Sequence, residues 1–407
     1  MQLGPILSSL RRNKVGAALI ALQIALTLAV LSNALFIIEQ QTALSRAPSG
    51  VADESSLFTI SNQWIGAPAD MAAREQTDLA SLRALPQVAD ATISPVQPLG
   101  GRGMGEDITI HPDRPRSGAM TAVFPVDDHA LNTLGLRLIA GRNFRAEDIL
   151  IQHGFIDNYT SLGSVIVTQG LARTLEPGGN VLGHLASLRP GSTTATIIGV
   201  VERFGPSQSA ESSSIGANSI LLPQLWADSN IFYFVRAKPG QVTAAMLAAR
   251  AELYKNSRQR TIVRMQSLAD ARLDFYRGAR GEALLMGVIS AILLGVTAFG
   301  ILGLTSYWVS QRRRQIGVRR ALGATMGSIL RYFQTENLLI VGAGSVLGVL
   351  LGAAANLWMV RSIALTRLPP LYLIVGTIVV LTLGQIAVLW PALRASAVPP
   401  AIAARSA

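Results

Sequence analysis

The sequence predicts a membrane protein with four transmembrane helices and a large α/β extracytoplasmic domain between the first and second helices. Three observations carry this. Residues 15–38, 283–309, 337–360 and 371–393 hold no charged side chain, and about 20 apolar residues suffice to cross a bilayer core. Half of the 407 residues are hydrophobic and mean hydropathy is +0.38, more apolar than a water-soluble chain of this length needs. The net charge of +11 is gathered at the edges of the apolar runs. Arg11, Arg12 and Lys14, six arginines within 311–331, and Arg394 and Arg405 account for the whole excess, in segments that hold no acid.

Basic residues dense at a membrane edge mark the cytoplasmic side. Both termini and residues 310–336 are therefore expected in the cytoplasm, and residues 39–282 outside it. The rest of the chain is charge-balanced, with no basic folded face of the kind nucleic-acid binding requires, so no nucleic-acid partner is expected. There is no cysteine, which excludes disulfides, thiolate metal sites and a cysteine nucleophile. The outer domain has to hold together by packing, and more than 200 residues can do so.

Residues 1–14 place Leu3, Ile6, Leu7 and Leu10 at helical spacing and predict an amphipathic helix at the cytoplasmic interface. Residues 15–38 form the first span. The apolar run is too long for a cleaved signal peptide, and no small-residue cleavage site follows it. Ala17, Ala21, Ala25 and Ala29 make a small-residue stripe that allows another helix to approach closely. Gln23, Thr27 and Asn33 suit interhelical hydrogen bonds or a substrate path.

Residues 39–282 read as mixed α/β. Strands are expected at 57–60, 107–110, 121–126, 164–168, 194–201, 219–222, 231–236 and 261–265, and helices at 75–85, 168–175 and 241–256. Each end of the domain reads strand–helix–strand: 57–60, 75–85 and 91–95, then 231–236, 241–256 and 261–265. Such units are expected to pair their strands beneath the helix. The middle then has the look of an insertion. Within it, residues 205–219, rich in Ser, Gly and Pro, predict an exposed mobile loop.

The second span, 283–309, carries Gly287, Gly295, Gly300 and Gly303 and passes straight into the arginine segment. No helix breaker stands before Ile316, so the helix is expected to leave the membrane as a stalk through Arg312, Arg313, Arg314, Gln315, Ile316 and Gly317. Gly323 and Gly327 permit a turn around 324–326. In the third span, 337–360, Gly344, Gly348 and Gly352 form a doubled GxxxG, which fits either packing within one subunit or a dimer contact. Glu336 stands at its cytoplasmic end as a partner for the stalk arginines. Residues 361–370 form a short outer loop, whose Arg361 and Arg367 run against the charge bias. In the fourth span, 371–393, Trp390 and Pro391 mark the inner edge, and 394–407 is a cytoplasmic tail.

Catalytic patterns are missing. ATP binding needs a glycine-rich loop whose lysine reaches the phosphates; the lysines are Lys14, Lys238 and Lys255, and none follows a glycine. His111, His129, His153 and His184 show no metal-ligand spacing and read as loop or surface residues. Asp127-Asp128 and Glu147-Asp148 are adjacent acids of the kind that start helices or turns, not a spaced catalytic pair. No enzyme activity, metal or cofactor is expected on this chain.

The order of residues in the arginine segment is more specific than its charge. A basic triplet, then Gln315-Ile316-Gly317-Val318-Arg319-Arg320, then Ala321-Leu322-Gly323-Ala324, resembles the signature of the MacB/FtsX family of ABC-transporter permeases. In the outer domain, Ala140-Gly141-Arg142-Asn143-Phe144 followed by Glu147-Asp148 resembles an element of MacB-type periplasmic core domains, as do 164–175, Gly183 and 194–201. Pro391-Ala392-Leu393-Arg394-Ala395-Ser396, with Val398-Pro399-Pro400-Ala401, resembles the family's terminal pattern in part and lacks its acids.

The resemblance implies a stalk that turns into a short coupling helix docked on an ATPase. Arg319, Arg320, Ala321, Leu322, Gly323, Ala324, Thr325, Met326, Ile329 and Leu330 would make that contact. It implies a periplasmic core with a porter-like part, 39–112 and 225–282, built of βαβ units around a β-rich insertion, 113–224. It also implies a permease subunit in a bacterial inner membrane that couples ATP hydrolysis, with ATP and Mg bound by a separate ABC ATPase subunit, to motion of the periplasmic domain. A second permease copy or a sister permease, a periplasmic adaptor, an outer-membrane channel and membrane lipid are the expected partners, and peptides, macrolide-like amphiphiles, siderophores or lipoproteins the expected cargo. The alternative is an ATPase-driven transmembrane signalling protein that regulates a periplasmic hydrolase or sensor kinase without transport.

Overall fold

The computed structural model describes residues 14–46, 48–66, 68–98, 104–111, 118–153, 162–188, 194–205, 218–363 and 367–396. The expected N-terminal amphipathic helix, almost all of the 205–219 loop, part of the outer loop at 364–366 and the end of the tail lie outside the described residues. The chain divides into two compact units, Met1–Arg46 with Ala279–Ala407, and Ala47–Gly278.

The chain opens with helix α1 (Lys14–Arg46). The second unit follows with β1 (Leu57–Trp64), α2 (Met71–Arg83), β2 (Val88–Ser94), β3 (Met104–Thr109), β4 (Ala119–Val126), α3 (Ala130–Leu134), β5 (Leu138–Gly141), β6 (Leu150–His153), β7 (Ser164–Thr168), α4 (Gln169–Leu175), β8 (Leu185–Leu188), β9 (Thr194–Val201), β10 (Ser219–Ala227), β11 (Asn230–Ala237), α5 (Val242–Asn256), β12 (Arg260–Ser267) and α6 (Leu268–Phe275). The chain returns to the first unit with α7 (Arg277–Gln311), α8 (Arg313–Ala321), α9 (Met326–Ile363) and α10 (Pro370–Ser396).

In the outer domain the two end units interlock. The sheet order is β12-β1-β11-β2, antiparallel throughout. The two strands of each strand–helix–strand unit therefore do not pair, contrary to the sequence-based expectation. A strand of the other unit sits between them, the split βαβ arrangement. One face is apolar because side chains alternate along a strand. Phe58 and Ile60 of β1 and Ile231, Tyr233 and Val235 of β11 share a core with Leu79 and Leu82 of α2 and Ala245, Ala249 and Leu253 of α5.

Under that core Asp78 is fully buried. It accepts two hydrogen bonds from Arg260, at 2.7 and 3.0 Å, and one from the Tyr233 hydroxyl at 2.6 Å. Burial beside this carboxylate pushes the Tyr233 hydroxyl well above its ordinary value.

The inserted strands run β4-β3-β8-β9-β7-β10, and β10 returns to pair with β4. Six strands thus close into a small barrel, which removes the free edges an open sheet would expose. Ile108, Val123, Val165, Val167, Leu188, Ile197, Ile220 and Leu222, drawn from all six strands, fill it. This corrects the expected insertion of 113–224: the barrel takes β3 from before residue 113, and β10 runs on to Ala227. The boundary moves because β3 finds its partners in β4 and β8. Strands β5, β6 and β8 and helices α3 and α6 went unseen in the sequence, being too short to show a period. Asp127 does precede a helix, but its carboxylate also faces inward, bonding Arg83 and Thr92 at 2.5 Å each. His129 has a partner as well, its Nδ1 lying 2.9 Å from Asp90.

In the first unit, α1, α7, α9 and α10 include four stretches long and apolar enough to cross a membrane. Their shared core joins Ile24 and Leu28 of α1, Ile301 and Trp308 of α7, Val341 of α9 and Val388 of α10.

Candidate coupling site

The arginine segment folds as helix, turn, helix. The expected uninterrupted stalk is divided at Arg312, which separates α7 from α8. Helical hydrogen bonds still bridge the division, from Arg312 N to Trp308 O at 3.1 Å and from Ile316 N to Arg312 O at 2.9 Å. The residue at the break turns its side chain inward. Arg312 Nη1 donates to both carboxylate oxygens of Glu336, at 3.1 and 3.0 Å, and both residues are buried. Ile316 and Gly317 are also buried, whereas Arg313 and Gln315 face outward. The side chains of Arg314 and Arg320 lie outside what is described.

Helix α8 ends on Gly323, whose φ of +94° is a conformation that costs a residue with a Cβ. Ala324 N donates back to Arg319 O at 3.0 Å, the long bond of a Schellman closure. Thr325 then caps the next helix, its Oγ1 accepting from Ser328 N at 3.2 Å. That cap satisfies an orphan donor of the first turn. The expected short coupling helix is not a separate element. From Met326 the chain runs without interruption to Ile363 as α9, because Gly327 lies in the first turn of that helix and does not break it.

At the apex of the turn Leu322 is 83% exposed, with Val318 and Met326 also exposed beside it. Ile329 faces the other way and is buried, with Leu330 packed against the same core. Arg319 lies over the Tyr332 ring, 5.4 Å from guanidinium carbon to centroid. Thus the expected coupling residues divide between an exposed apex, which includes Ala321, Leu322, Gly323, Thr325 and Met326, and an anchored base that includes Ile329 and Leu330.

The two small-residue stripes meet each other. A Cβ on Gly344 would stand 2.7 Å from Ala21 O, one on Gly348 3.0 Å from Ala25 O, and one on Gly352 3.3 Å from the Ala29 Cα. Ala17 packs against the same core. The doubled GxxxG of α9 therefore seats α1 of its own chain. Polar groups within the spans also pair: Thr27 and Thr297 hydroxyls lie 2.8 Å apart, and Asn33 donates to Gly352 O at 3.3 Å.

In the barrel domain the Ala140–Phe144 motif is structural. Gly141 is in the left-handed region at φ +77°, and Arg142 N donates to Ile198 O. The Arg142 guanidinium bonds Asp148 at 2.7 and 3.3 Å, holding that carboxyl below its ordinary range.

The MacB-like periplasmic core domain family matches residues 18–253, more than half of the chain. The FtsX-like permease C-terminal family matches residues 287–400, which include the turn just described. The chain belongs to the MacB/FtsX-like family of ABC-transporter permeases. Similar curated proteins include the macrolide export ATP-binding/permease protein MacB of Chromobacterium violaceum, 25% identical over 53% of this chain and 32% of its own length. MacB of Nitrobacter winogradskyi is 33% identical over 30% of this chain and 19% of its own. The uncharacterized ABC transporter permease YvrN of Bacillus subtilis is 25% identical over 70% of this chain and 69% of its own. The chain thus spans a third or less of the MacB proteins it matches.

Among solved structures, the extracellular domain of the noncanonic ABC-type transporter YknZ aligns at 14% identity and TM-score 0.33, covering 51% of this chain and all of that one. The periplasmic region of MacB from Actinobacillus actinomycetemcomitans aligns at 12% and 0.32, covering 55% and 94%. In this MacB/FtsX-like permease, four apolar helices and a MacB-type core domain make a multi-pass membrane protein with an extracytoplasmic domain.

Proposed function

We propose that this chain is a permease subunit of an ABC transporter, in which an ABC ATPase docks on the turn between α8 and α9 and drives motion of the outer domain. Leu322 carries the reading. It is 83% exposed at the tip of a turn, in a segment of six arginines and no acid. An apolar side chain so placed, in so basic a segment, suits a partner that offers an apolar pocket with acidic surroundings. The buried Arg312–Glu336 pair ties the start of α8 to α9, so force on the turn would reach α7 and α9 together. Helix α7 leads directly into the outer domain, the sequence path by which the motion would leave the membrane.

On this reading the turn faces the cytoplasm of a bacterium, the outer domain lies in the periplasm, and ATP and Mg belong to the ATPase. A second permease copy or a sister permease completes the transporter, and a periplasmic adaptor and outer-membrane channel follow as further partners. The name macrolide export on two relatives supports amphiphiles of that kind, or peptides, as cargo.

Co-purification from native membranes tests it. Leu322→Glu and Gly323→Glu should each abolish recovery of a Walker-type ATPase while leaving membrane insertion and the gel-filtration profile unchanged. Retained ATPase would sink the docking assignment. Recovery of an ATPase together with a cell-wall hydrolase or sensor kinase, in place of an adaptor, would move the reading to transmembrane signalling.

A further inference from the structure

At one end of the second and fourth spans a cleft of about 230 Å³ opens between α7, α8 and α10. Its polar lining is Ser306 and Ser310 of α7, Arg313 of α8 and Arg394 of α10, with Trp390 as an aromatic wall. Ser306, Ser310 and Arg313 fall at helical spacing, which puts them on one face.

Two features mark the cleft as a site for an anion. First, its guanidinium groups have no carboxylate to pair with. Beyond Glu282 the chain holds a single acid, Glu336, and Arg312 takes it. Arg313 and Arg394 form no ion pair among the described residues. Second, Ser306 lines the cleft, and its Oγ is shielded from solvent with no hydrogen-bond partner among the described residues, although a hydroxyl so placed ordinarily finds one.

The surroundings say which kind of anion. Arg394 lies over the Trp390 ring, 5.5 Å from guanidinium carbon to centroid, where the fourth span ends, the level at which tryptophan meets lipid headgroups. Two turns deeper on the serine face of α7, Phe299 is 76% exposed, and one turn before Trp390, Ile386 is 60% exposed. Cations and hydroxyls at the interface, with open apolar surface leading into the membrane, match a ligand with a charged head and hydrocarbon tails. Basic pockets between transmembrane helices bind anionic headgroups in this way, and phosphate oxygens accept from guanidinium and hydroxyl donors together.

We propose that this cleft is a specific site for the phosphate headgroup of an anionic phospholipid. The bound lipid would bridge Arg313, the first residue of α8, to Arg394 at the end of α10. The site rests on the four-span reading and is independent of ATPase docking.

Native mass spectrometry of the full chain in neutral detergent tests it, with short-chain phosphatidylglycerol, phosphatidylcholine and inorganic phosphate as probes. One phosphatidylglycerol adduct is expected, preferred over phosphatidylcholine. Arg313→Gln with Arg394→Gln should weaken it about thirty-fold, from two interfacial charges. Arg331→Gln, which removes one such charge outside the cleft, should change it less than about two-fold, within the ordinary scatter for an uninvolved surface residue. Ser306→Leu fills the cleft and keeps both charges, so it reads the site even where the double variant does not fold; it should also displace the lipid. Equal binding of the two lipids, or an adduct unmoved by Ser306→Leu, would overturn the proposal and leave acidic side chains of a protein partner as the counterions. Displacement by inorganic phosphate at equal concentration would overturn the lipid assignment in favour of a soluble anion.

Discussion

Arg312 and Glu336 are 24 positions apart and form a buried, two-point ion pair, Nη1 to Oε1 and Oε2 at 3.1 and 3.0 Å. Breaking one side of such a pair leaves an uncompensated buried charge, at about 3–5 kcal/mol, while replacing both by apolar groups of similar size is often neutral. We expect Arg312→Leu or Glu336→Leu alone to lower the thermal unfolding midpoint of the detergent-solubilised protein sharply, and the double variant to recover most of the loss. Simple additivity in that cycle would mean the pair does not hold α8 to α9.

The glycines of α9 are not equivalent. A Cβ on Gly344 would stand within 2.9 Å of Ala21 O and Ile24 Cβ, whereas one on Gly342 would meet none of the described residues within 4 Å. Gly344→Val should overpack the α1–α9 contact and cost about 1–3 kcal/mol. Gly342→Ala should be neutral or stabilising by up to about 1 kcal/mol, from helix propensity. Thermal unfolding in matched detergent compares the two, and equal losses would contradict the seating of α1 against 344, 348 and 352.

Gly323 sits at φ +94° with open space around it, so its requirement is conformational and not steric. Gly323→Val should strain the turn by about 1–2 kcal/mol, weaken ATPase recovery and leave the spans folded. Gly327, inside α9, should tolerate alanine. Hydrogen exchange at 319–329 would show the loosened turn in the first variant and not the second.

Glu75 of α2 is buried beneath the outer-domain sheet, and its carboxylate accepts from Trp64 Nε1 at 3.3 Å. Burial raises its pKa from 4.5 to about 8. Because the folded value lies above the unfolded one, the folded domain holds this proton more tightly. The resulting stability is complete below pH 4.5 and is lost as the pH rises through 8, at up to about 1.4 kcal/mol per unit. Glu75→Gln keeps an acceptor for Trp64 and should flatten that slope between pH 5.5 and 7.5 in urea titrations of the full chain, read by tryptophan fluorescence. An unchanged slope would show that Glu75 is ionised in the fold.

Which parts could be read in advance follows the range of the interaction. Strands β7 and β9 begin and end where local pattern put them, because alternation and β-branched runs are written within a few residues. A turn was legible through Gly323, although it comes at 322–325 and not around 324–326, and the cap at Thr325 and the division at Arg312 were not legible. Arg312, Arg313 and Arg314 are chemically alike in sequence, and only the position of Glu336 on the neighbouring helix selects Arg312 for burial.

Composition and local spacing alone were enough for the four spans, the segregation of positive charge and the turn that follows Gly323, since each depends on residues within about thirty positions. It took the packed fold to establish that the end units interlock as β12-β1-β11-β2, that β10 closes the barrel on β4, that the glycines of α9 meet the alanines of α1, and that Ser306, Arg313 and Arg394 line one cleft. Those outcomes depend on which of several chemically equivalent surfaces come together, a choice made by the packing of distant segments.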